Sequence, residues 1–200
     1  MTVGAGRKIN ENETYWRVTQ FVTPCWTLIP ADNTGRNAQA WVPIDDENSM
    51  SFAVSWNTER SLTPSEITEL KNGKGIHAKT IQGTFKPFYN KENDYMLNRK
   101  LQASGVSYTG IPGVSAQDSA VIESTRGIPD RTREHLGTSD IGIIQVRKFL
   151  MDAARKLHDE GTAPVLDTEL ILRLRSATGV LRSDVHFYEG FKDKLKRHDL

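Results

Sequence analysis

Strand-forming segments fill the first third of this chain and helix-forming segments follow, and this order constrains the fold more than any other feature. Residues 15–22 and 26–29 are dense in aromatic and β-branched side chains, as β-strands usually are. Two more strands are predicted over residues 38–44 and 50–56, and in the second every other residue from Met50 to Trp56 is large and apolar. That alternation is typical of a sheet with one packed face.

The helical part of the chain begins with a short segment that has a full set of end signals. Thr63 is in the capping position and Pro64 in the first helical position. Glu66 would complete a capping box with Thr63, and Gly73 follows the last turn. Further helices are predicted over residues 94–102, 139–160 and 168–176. The longest has apolar residues near the spacing of a buried stripe, which predicts a core helix. A sheet followed by helices indicates an α+β fold, with the helices on one face of an antiparallel sheet.

The composition excludes several classes of protein. The chain has 200 residues, 37% of them apolar and 26% charged, which suits a single globular domain. Lys and Arg number 26 against 25 Asp and Glu, so no nucleic-acid or anionic-membrane surface is expected. No apolar run reaches the ~18 residues of a membrane-spanning helix. With Cys25 as its one cysteine, the chain has no internal disulfide and no cysteine-held metal site, and a cytoplasmic location is expected.

Short catalytic motifs are absent from the sequence. The five histidines are too far apart to pair on one helical face, and the nearest two, His186 and His198, are 12 residues apart. Structural roles are therefore favoured for all of them. There is also no nucleophile elbow, no phosphate-binding loop and no zinc-protease motif.

The segment around Asp118 is the most informative for function. Asp118 follows a Gly- and Ser-rich loop and comes near the start of a predicted helix. Such a carboxylate either accepts hydrogen bonds from the free N–H groups of the first helical turn or points into a cavity and binds a cation. On the residues alone both alternatives stay open, and composition favours the cap.

The same segment closely resembles a family of enzymes. Residues 117–144 read Q-D-x-A-x-x-E-S-x-x-x-I-x-D-R-x-x-E-x-L-G-x-S-D-x-x-I-I. This string is similar to the C-terminal catalytic domain of Rieske non-haem iron oxygenases, in the branch of phthalate 4,5-dioxygenase and dehydrodivanillate O-demethylase. Residues 15–20, 28–30 and 41–47 resemble the first strands of that domain, and the resemblance extends over residues 14–160.

The resemblance implies a helix-grip fold of the START and Bet v 1 type, in which an antiparallel sheet wraps around a long C-terminal helix, with extra helices. It also implies a mononuclear iron(II) held by two histidines and one carboxylate. Asp118 would be that carboxylate, and Gln117 and Glu123 would support it. Apolar residues on the concave sheet face would line the substrate pocket. Candidates for this lining are Trp41, Phe52 and Val54, which core packing explains equally well.

Two parts of the family's machinery are missing from this sequence. The family's iron-binding histidines lie in a D-x-x-H-x-x-x-x-H segment ahead of the strands, and no two histidines here are five residues apart. The Rieske [2Fe–2S] cluster is held by two Cys and two His, so this chain is not expected to carry it. The sequence resembles the back half of an oxygenase α subunit. Met1 is either the true start of a split gene or a start within a longer frame.

The expected organisation is an irregular segment over residues 1–13, a partial catalytic domain over 14–180 and a tail over 181–200. The resemblance implies a partner half that carries the Rieske cluster, an electron-transfer reductase and a trimer-type homo-oligomer. With these, the domain would use O₂ to hydroxylate or O-demethylate an aromatic carboxylic acid, and alone it is expected to be inactive. Two rival hypotheses are a non-catalytic helix-grip module that binds a small hydrophobic ligand and a structural remnant that binds none.

Overall fold

The computed structural model describes residues 1–31, 35–125 and 127–196. These residues form an open antiparallel sheet with several helices, which confirms the α+β class. The strands are β1 (Thr2–Lys8), β2 (Glu13–Val22), β3 (Trp26–Ile29), β4 (Gly35–Pro43), β5 (Ser49–Asn57) and β6 (Ala177–Arg182). Their order is β1-β2-β3-β4-β5, and β6 pairs with the first part of β2. Residues 197–200 of the predicted tail lie outside the described ranges.

Strands β2 to β5 confirm the four predicted strands, whereas β1 lies where the sequence predicts irregular backbone. Its glycines have low strand propensity, and only the tertiary structure shows why they are present. A Cβ atom at Gly4 would lie 2.7 Å from the ring of Phe187, and one at Gly6 would lie 2.9 Å from the ring of Trp16. Aromatic rings therefore lie directly on the backbone of β1, which requires glycine there.

The strand register divides the sheet into two faces. One face, here called the core face, carries Val18 of β2 together with Ala38 and Ala40 of β4. The other face, here called the cleft face, carries Asn37 and Ser55, which are register partners in β4 and β5. Because side chains alternate along each strand, the register assigns every strand residue to one of these two faces.

The buried core of the described residues lies on the core face and includes the end of the chain. Phe191 and Leu195 are 2% and 3% exposed and pack with Val18 and Ala177. Residues predicted as a tail therefore contribute to the core. Phe187, Phe191 and Leu195 recur at helical spacing, a signal that the interleaved lysines obscure in the sequence.

The helices are α1 (Pro64–Lys71), α2 (Arg99–Ala103), α3 (Val114–Glu123), α4 (Ile141–Glu160), α5 (Thr168–Arg173) and α6 (Phe187–Gly190). The predicted ends of α1 are confirmed, because Thr63 and Glu66 form the reciprocal bonds of a capping box. Short 3₁₀ helices cover Lys91–Met96, Arg131–Arg133 and Thr138–Asp140. The single helix predicted over residues 94–102 is wrong, because left-handed residues end the first 3₁₀ helix and Asn98 caps α2 as a separate helix.

Helix α4 is the predicted long C-terminal helix and ends, as predicted, at Gly161 in the left-handed conformation. Its first turn lies against β1, since a Cβ atom at Gly142 would be 2.7 Å from Val3. The prediction of a buried stripe is wrong, because no described residue of α4 is buried. Ile143, Phe149 and Leu157 are about half exposed. In the described parts of the chain, each helix is either too short or too polar to span a bilayer.

Candidate functional site

Asp118 lies inside helix α3 and is exposed. The helix begins after Gly113, which occupies the capping position with a φ of 76°, so Asp118 is too far along the helix to cap it. The capping interpretation is therefore wrong. Within the described ranges Asp118 makes no hydrogen bond or ion pair, which leaves its carboxylate available to a ligand.

The two residues predicted to support Asp118 hold opposite ends of α3. Gln117 donates from Nε2 to the carbonyl oxygen of Ile111 at 3.1 Å, which ties the start of the helix to the preceding loop. Glu123, the last residue of α3, accepts a hydrogen bond of 2.6 Å at Oε2 from the hydroxyl of Tyr95. Asp118 is thus carried on a helix that is attached on either side of it.

Tyr95 is a site residue that the sequence did not predict. It is 8% exposed and lies in the Lys91–Met96 3₁₀ helix, which packs against α3. Burial, with a smaller contribution from the bond to Glu123, raises the pKa of the Tyr95 hydroxyl, so this group remains a hydrogen-bond donor at neutral pH. No local sequence signal marks Tyr95, because its partner is 28 residues away.

A small cleft opens beside α3, with a cavity volume of about 80 Å³. Its walls are the segment after α1, the region of Pro87 and Tyr89, and the start of α3 through Ser115, Ala116 and Ser119. Asp118 precedes Ser119 in the helix but is not among the residues that line the cleft. This volume is below the roughly 300–1,000 Å³ of small-molecule sites, so the cleft can hold only part of such a ligand, and His77 and Lys79 bring polar groups to it.

His77 is fixed to the cleft face of the sheet by a short chain of hydrogen bonds. Its Nε2 lies 2.8 Å from the Ser55 hydroxyl, which donates to Oδ1 of Asn37 at 2.6 Å. Since Ser55 has one proton and gives it to Asn37, Nε2 of His77 is the donor to Ser55. Burial lowers the pKa of His77 from its usual value. This histidine was assigned a structural role from spacing, which cannot detect contacts between distant segments.

The three predicted pocket residues do not share one face of the sheet. Phe52 pairs with Ala40 and Val54 pairs with Ala38, so both lie on the core face. Trp41 pairs with Ser51 and lies on the cleft face. A pocket on one face can therefore include either Trp41 or the pair Phe52 and Val54. His77 contacts the cleft face, on which Trp41 lies.

The family of this chain follows from comparison over almost its whole length. Residues 6–187 match the family model described as LigXa C-terminal domain-like. The chain belongs to this family. The match agrees with the oxygenase resemblance seen in residues 117–144 and also covers the sheet and the helices that surround α3.

Curated relatives of this LigXa C-terminal domain-like chain are oxygenase subunits. The 3-chlorobenzoate-3,4-dioxygenase oxygenase subunit of Comamonas testosteroni is 33% identical over 168 residues, which is 77% of this chain and 38% of that protein. The phthalate 4,5-dioxygenase oxygenase subunit of Pseudomonas putida is 30% identical over 139 residues, 70% of this chain and 31% of that protein.

A further relative is the tert-butanol monooxygenase / tert-amyl alcohol desaturase oxygenase subunit of Aquincola tertiaricarbonis. It is 24% identical over 161 residues, which is 76% of this chain and 30% of that protein. The LigXa C-terminal domain-like chain thus spans between 30% and 38% of the length of these relatives.

The donor groups near α3 fit one ligand of an iron site and not a complete one. Among the described residues, no three His, Cys, Asp or Glu side chains converge to hold a metal ion. Asp118 supplies a single free carboxylate, an oxygen donor that suits a divalent iron. The remaining ligands of a mononuclear site would have to come from outside the described residues.

Proposed function

We propose that this chain is the substrate- and iron-binding part of the catalytic domain of an aromatic-ring Rieske oxygenase. The complete enzyme would hydroxylate or O-demethylate an aromatic acid with O₂, and the chain alone would be inactive. The observation that carries the proposal is Asp118, whose carboxylate has no partner among the described residues and which lies on a helix held at both ends near a cleft.

In this proposal Asp118 contributes one of three protein ligands to a mononuclear iron(II). Iron held by two histidines and a carboxylate on one face supplies O₂ chemistry at its open positions. The chain's own task is to hold the carboxylate of Asp118 at a fixed place and to present the substrate next to it. The [2Fe–2S] cluster and both histidine ligands would reside in the partner half of the enzyme.

The cleft beside α3 would bind part of the aromatic acid, with the rest of the ligand outside it. Pro87, Tyr89 and Pro112 offer flat apolar surface for a ring, and Lys79 provides a positive charge for the carboxylate. The Lys79 ammonium lies 4.8 Å from the centre of the Phe88 ring, which restricts where it points. His77, held by Ser55, adds a polar group of fixed orientation. An anionic aromatic ligand fits this combination of groups.

The exposed surface supports a large protein partner. The chain exposes 14,605 Å², whereas a compact monomer of its mass exposes about 9,500 Å². The excess is larger than a standard protein–protein interface, which totals roughly 1,600 Å². We infer that the Rieske-bearing half and further copies of the subunit cover this surface in the cytoplasm, and that a reductase supplies electrons to the assembly.

The test combines this chain with the part of the 3-chlorobenzoate-3,4-dioxygenase oxygenase subunit that the match does not cover. Iron is then measured in the assembly. Asp118→Asn keeps the shape of the side chain and removes its charge. Iron occupancy and conversion of aromatic acids should fall together, while the Rieske absorbance remains. Asp46→Asn, which removes the same charge from the exposed β4–β5 turn, should change neither quantity.

The rival hypothesis of a non-catalytic ligand-binding module predicts a different result. Iron content and turnover would then be the same in Asp118→Asn as in the parent, and aromatic acids would still bind to the chain. That outcome would remove the catalytic assignment of Asp118.

A further inference from the structure

We propose that Tyr95 is a positioning residue for Asp118. Its hydroxyl holds Glu123, which fixes the end of α3 and with it the direction in which the Asp118 carboxylate points. The bond between Tyr95 and Glu123 is observed in the structure. The role of this bond in positioning Asp118 for a ligand rests on the function proposed above.

The first support is the bond itself. The 2.6 Å distance from the Tyr95 hydroxyl to Oε2 of Glu123 is at the short end for a hydroxyl donating to an oxygen. Such short bonds are typical where the acceptor is ionised, and they are about twice as strong as neutral ones. A phenylalanine would fill the same space against α3, so the hydroxyl is explained by Glu123 and not by packing.

The second support is the backbone that presents Tyr95. Asp94, Tyr95 and Met96 have φ angles of 51°, 53° and 53°, a left-handed run that L-residues adopt only at a cost. Such conformations persist where the surroundings fix them, and they concentrate at functional sites. Asn90 caps this turn, and its carbonyl oxygen accepts from the Tyr95 N–H at 2.9 Å.

The third support is the need of α3 for external attachment. The helix has ten residues, and isolated helices of this length are marginal in water. Gly113 provides no side-chain cap, so the Gln117 bond secures the beginning of the helix and the Glu123 bond secures its end. Asp118 lies between these two attachments. Loss of the second one would leave the helix free to fray toward Asp118.

Hydrogen exchange on the full 200-residue chain tests the attachment. Tyr95→Phe should speed exchange of the amides over residues 118–124 by about tenfold to a hundredfold, the factor expected when a bond to a charged group is lost. Glu123→Gln retains an acceptor oxygen and should restore part of the protection that Glu123→Ala loses. The matched control is Tyr15→Phe, whose hydroxyl accepts from Thr178 between β2 and β6 and should leave α3 unchanged.

A spin label measures whether the attachment also fixes the direction of residue 118. The background carries Cys25→Ser, and the label is attached in Asp118→Cys or, as a reference on exposed α1, in Ser65→Cys. Tyr95→Phe should increase label mobility at position 118 and leave it unchanged at position 65. A general loss of structure would mobilise both labels.

Equal exchange over residues 118–124 in parent and Tyr95→Phe, or equal label mobility at position 118, would overturn the proposal. The proposal is also overturned if Tyr15→Phe speeds exchange over residues 118–124 as much as Tyr95→Phe does, or if Tyr95→Phe mobilises the label at position 65 as much as the label at position 118. If α3 loosens as expected and Asp118→Asn nevertheless leaves iron binding unchanged in the assembled enzyme, the positioning of residue 118 stands and the proposed function fails.

Discussion

Asp118 is exposed and has no hydrogen bond or ion pair with any described residue of the chain. We therefore expect Asp118→Asn to change the free energy of unfolding of the chain by less than about 0.5 kcal/mol. Urea denaturation measures this change. A large loss of stability would show that Asp118 has a structural role and would confound the iron test.

Glu123, unlike Asp118, should contribute to the free energy of unfolding. Glu123→Ala removes the acceptor of the Tyr95 hydroxyl, and the net contribution of such a hydrogen bond to stability is about 0.5–1.5 kcal/mol. The same urea experiment should show a loss in this range. In the Tyr95→Phe background the substitution should cost much less, because no hydroxyl remains to be satisfied.

His77 should make stability depend on pH. Burial lowers the pKa of His77 in the folded state below the usual 6.5, so between these two values the unfolded chain binds more protons. The free energy of unfolding should therefore rise with pH through this window, with the full value present above 6.5 and reduced as the pH falls through the folded pKa. His77→Gln keeps an N–H donor for Ser55. It should remove the contribution of His77 to the pH dependence of the free energy of unfolding.

Urea unfolding at several pH values between 5 and 7.5 checks this expectation. Ser65→Ala, a change without a titrating group on exposed α1, provides the control and should leave the slope as it is in the parent. A parent and His77→Gln variant with parallel pH profiles would contradict the link between burial of His77 and folding.

At the scale of elements, β1 and α6 depend on each other. Phe187 of α6 lies so close to β1 that a methyl group at Gly4 would be 2.7 Å from its ring. We expect Gly4→Ala to lower the free energy of unfolding by about 1–3 kcal/mol, the usual cost of overpacking. Ala5→Ser, an exposed change on the opposite face of β1, should have little effect. Equal stability of Gly4→Ala and parent would mean that α6 does not rest on β1.

At the scale of the whole molecule, the core joins the two ends of the chain. Phe191 is almost fully buried and packs with Val18, although the two lie at opposite ends of the chain. Phe191→Ala should cost about 3–5 kcal/mol, as large-to-small changes in a core do. Tyr188→Ala, at a residue of the preceding helix α6 that is 39% exposed, should cost clearly less. A tail detached from the domain would show no effect of Phe191→Ala, and urea denaturation distinguishes the two cases.

The sequence by itself determined the elements whose signals are local. The strands β2 to β5 follow from alternation, the ends of α1 from Thr63 and Glu66, and the family from residues 117–144. These patterns are readable because each depends on neighbours within a few residues. The hypothesis that Asp118 binds iron comes from the same kind of local match and stays a prediction.

Only the tertiary structure decided the features that depend on distant partners. It placed β1 against the Phe187 and Trp16 rings, His77 against Ser55, and Tyr95 against Glu123. It also removed the capping role of Asp118, because the start of α3 is set by the loop at Gly113. It left the apolar stripe of α4 exposed, since periodicity predicts which residues share a helical face and not whether a partner covers that face.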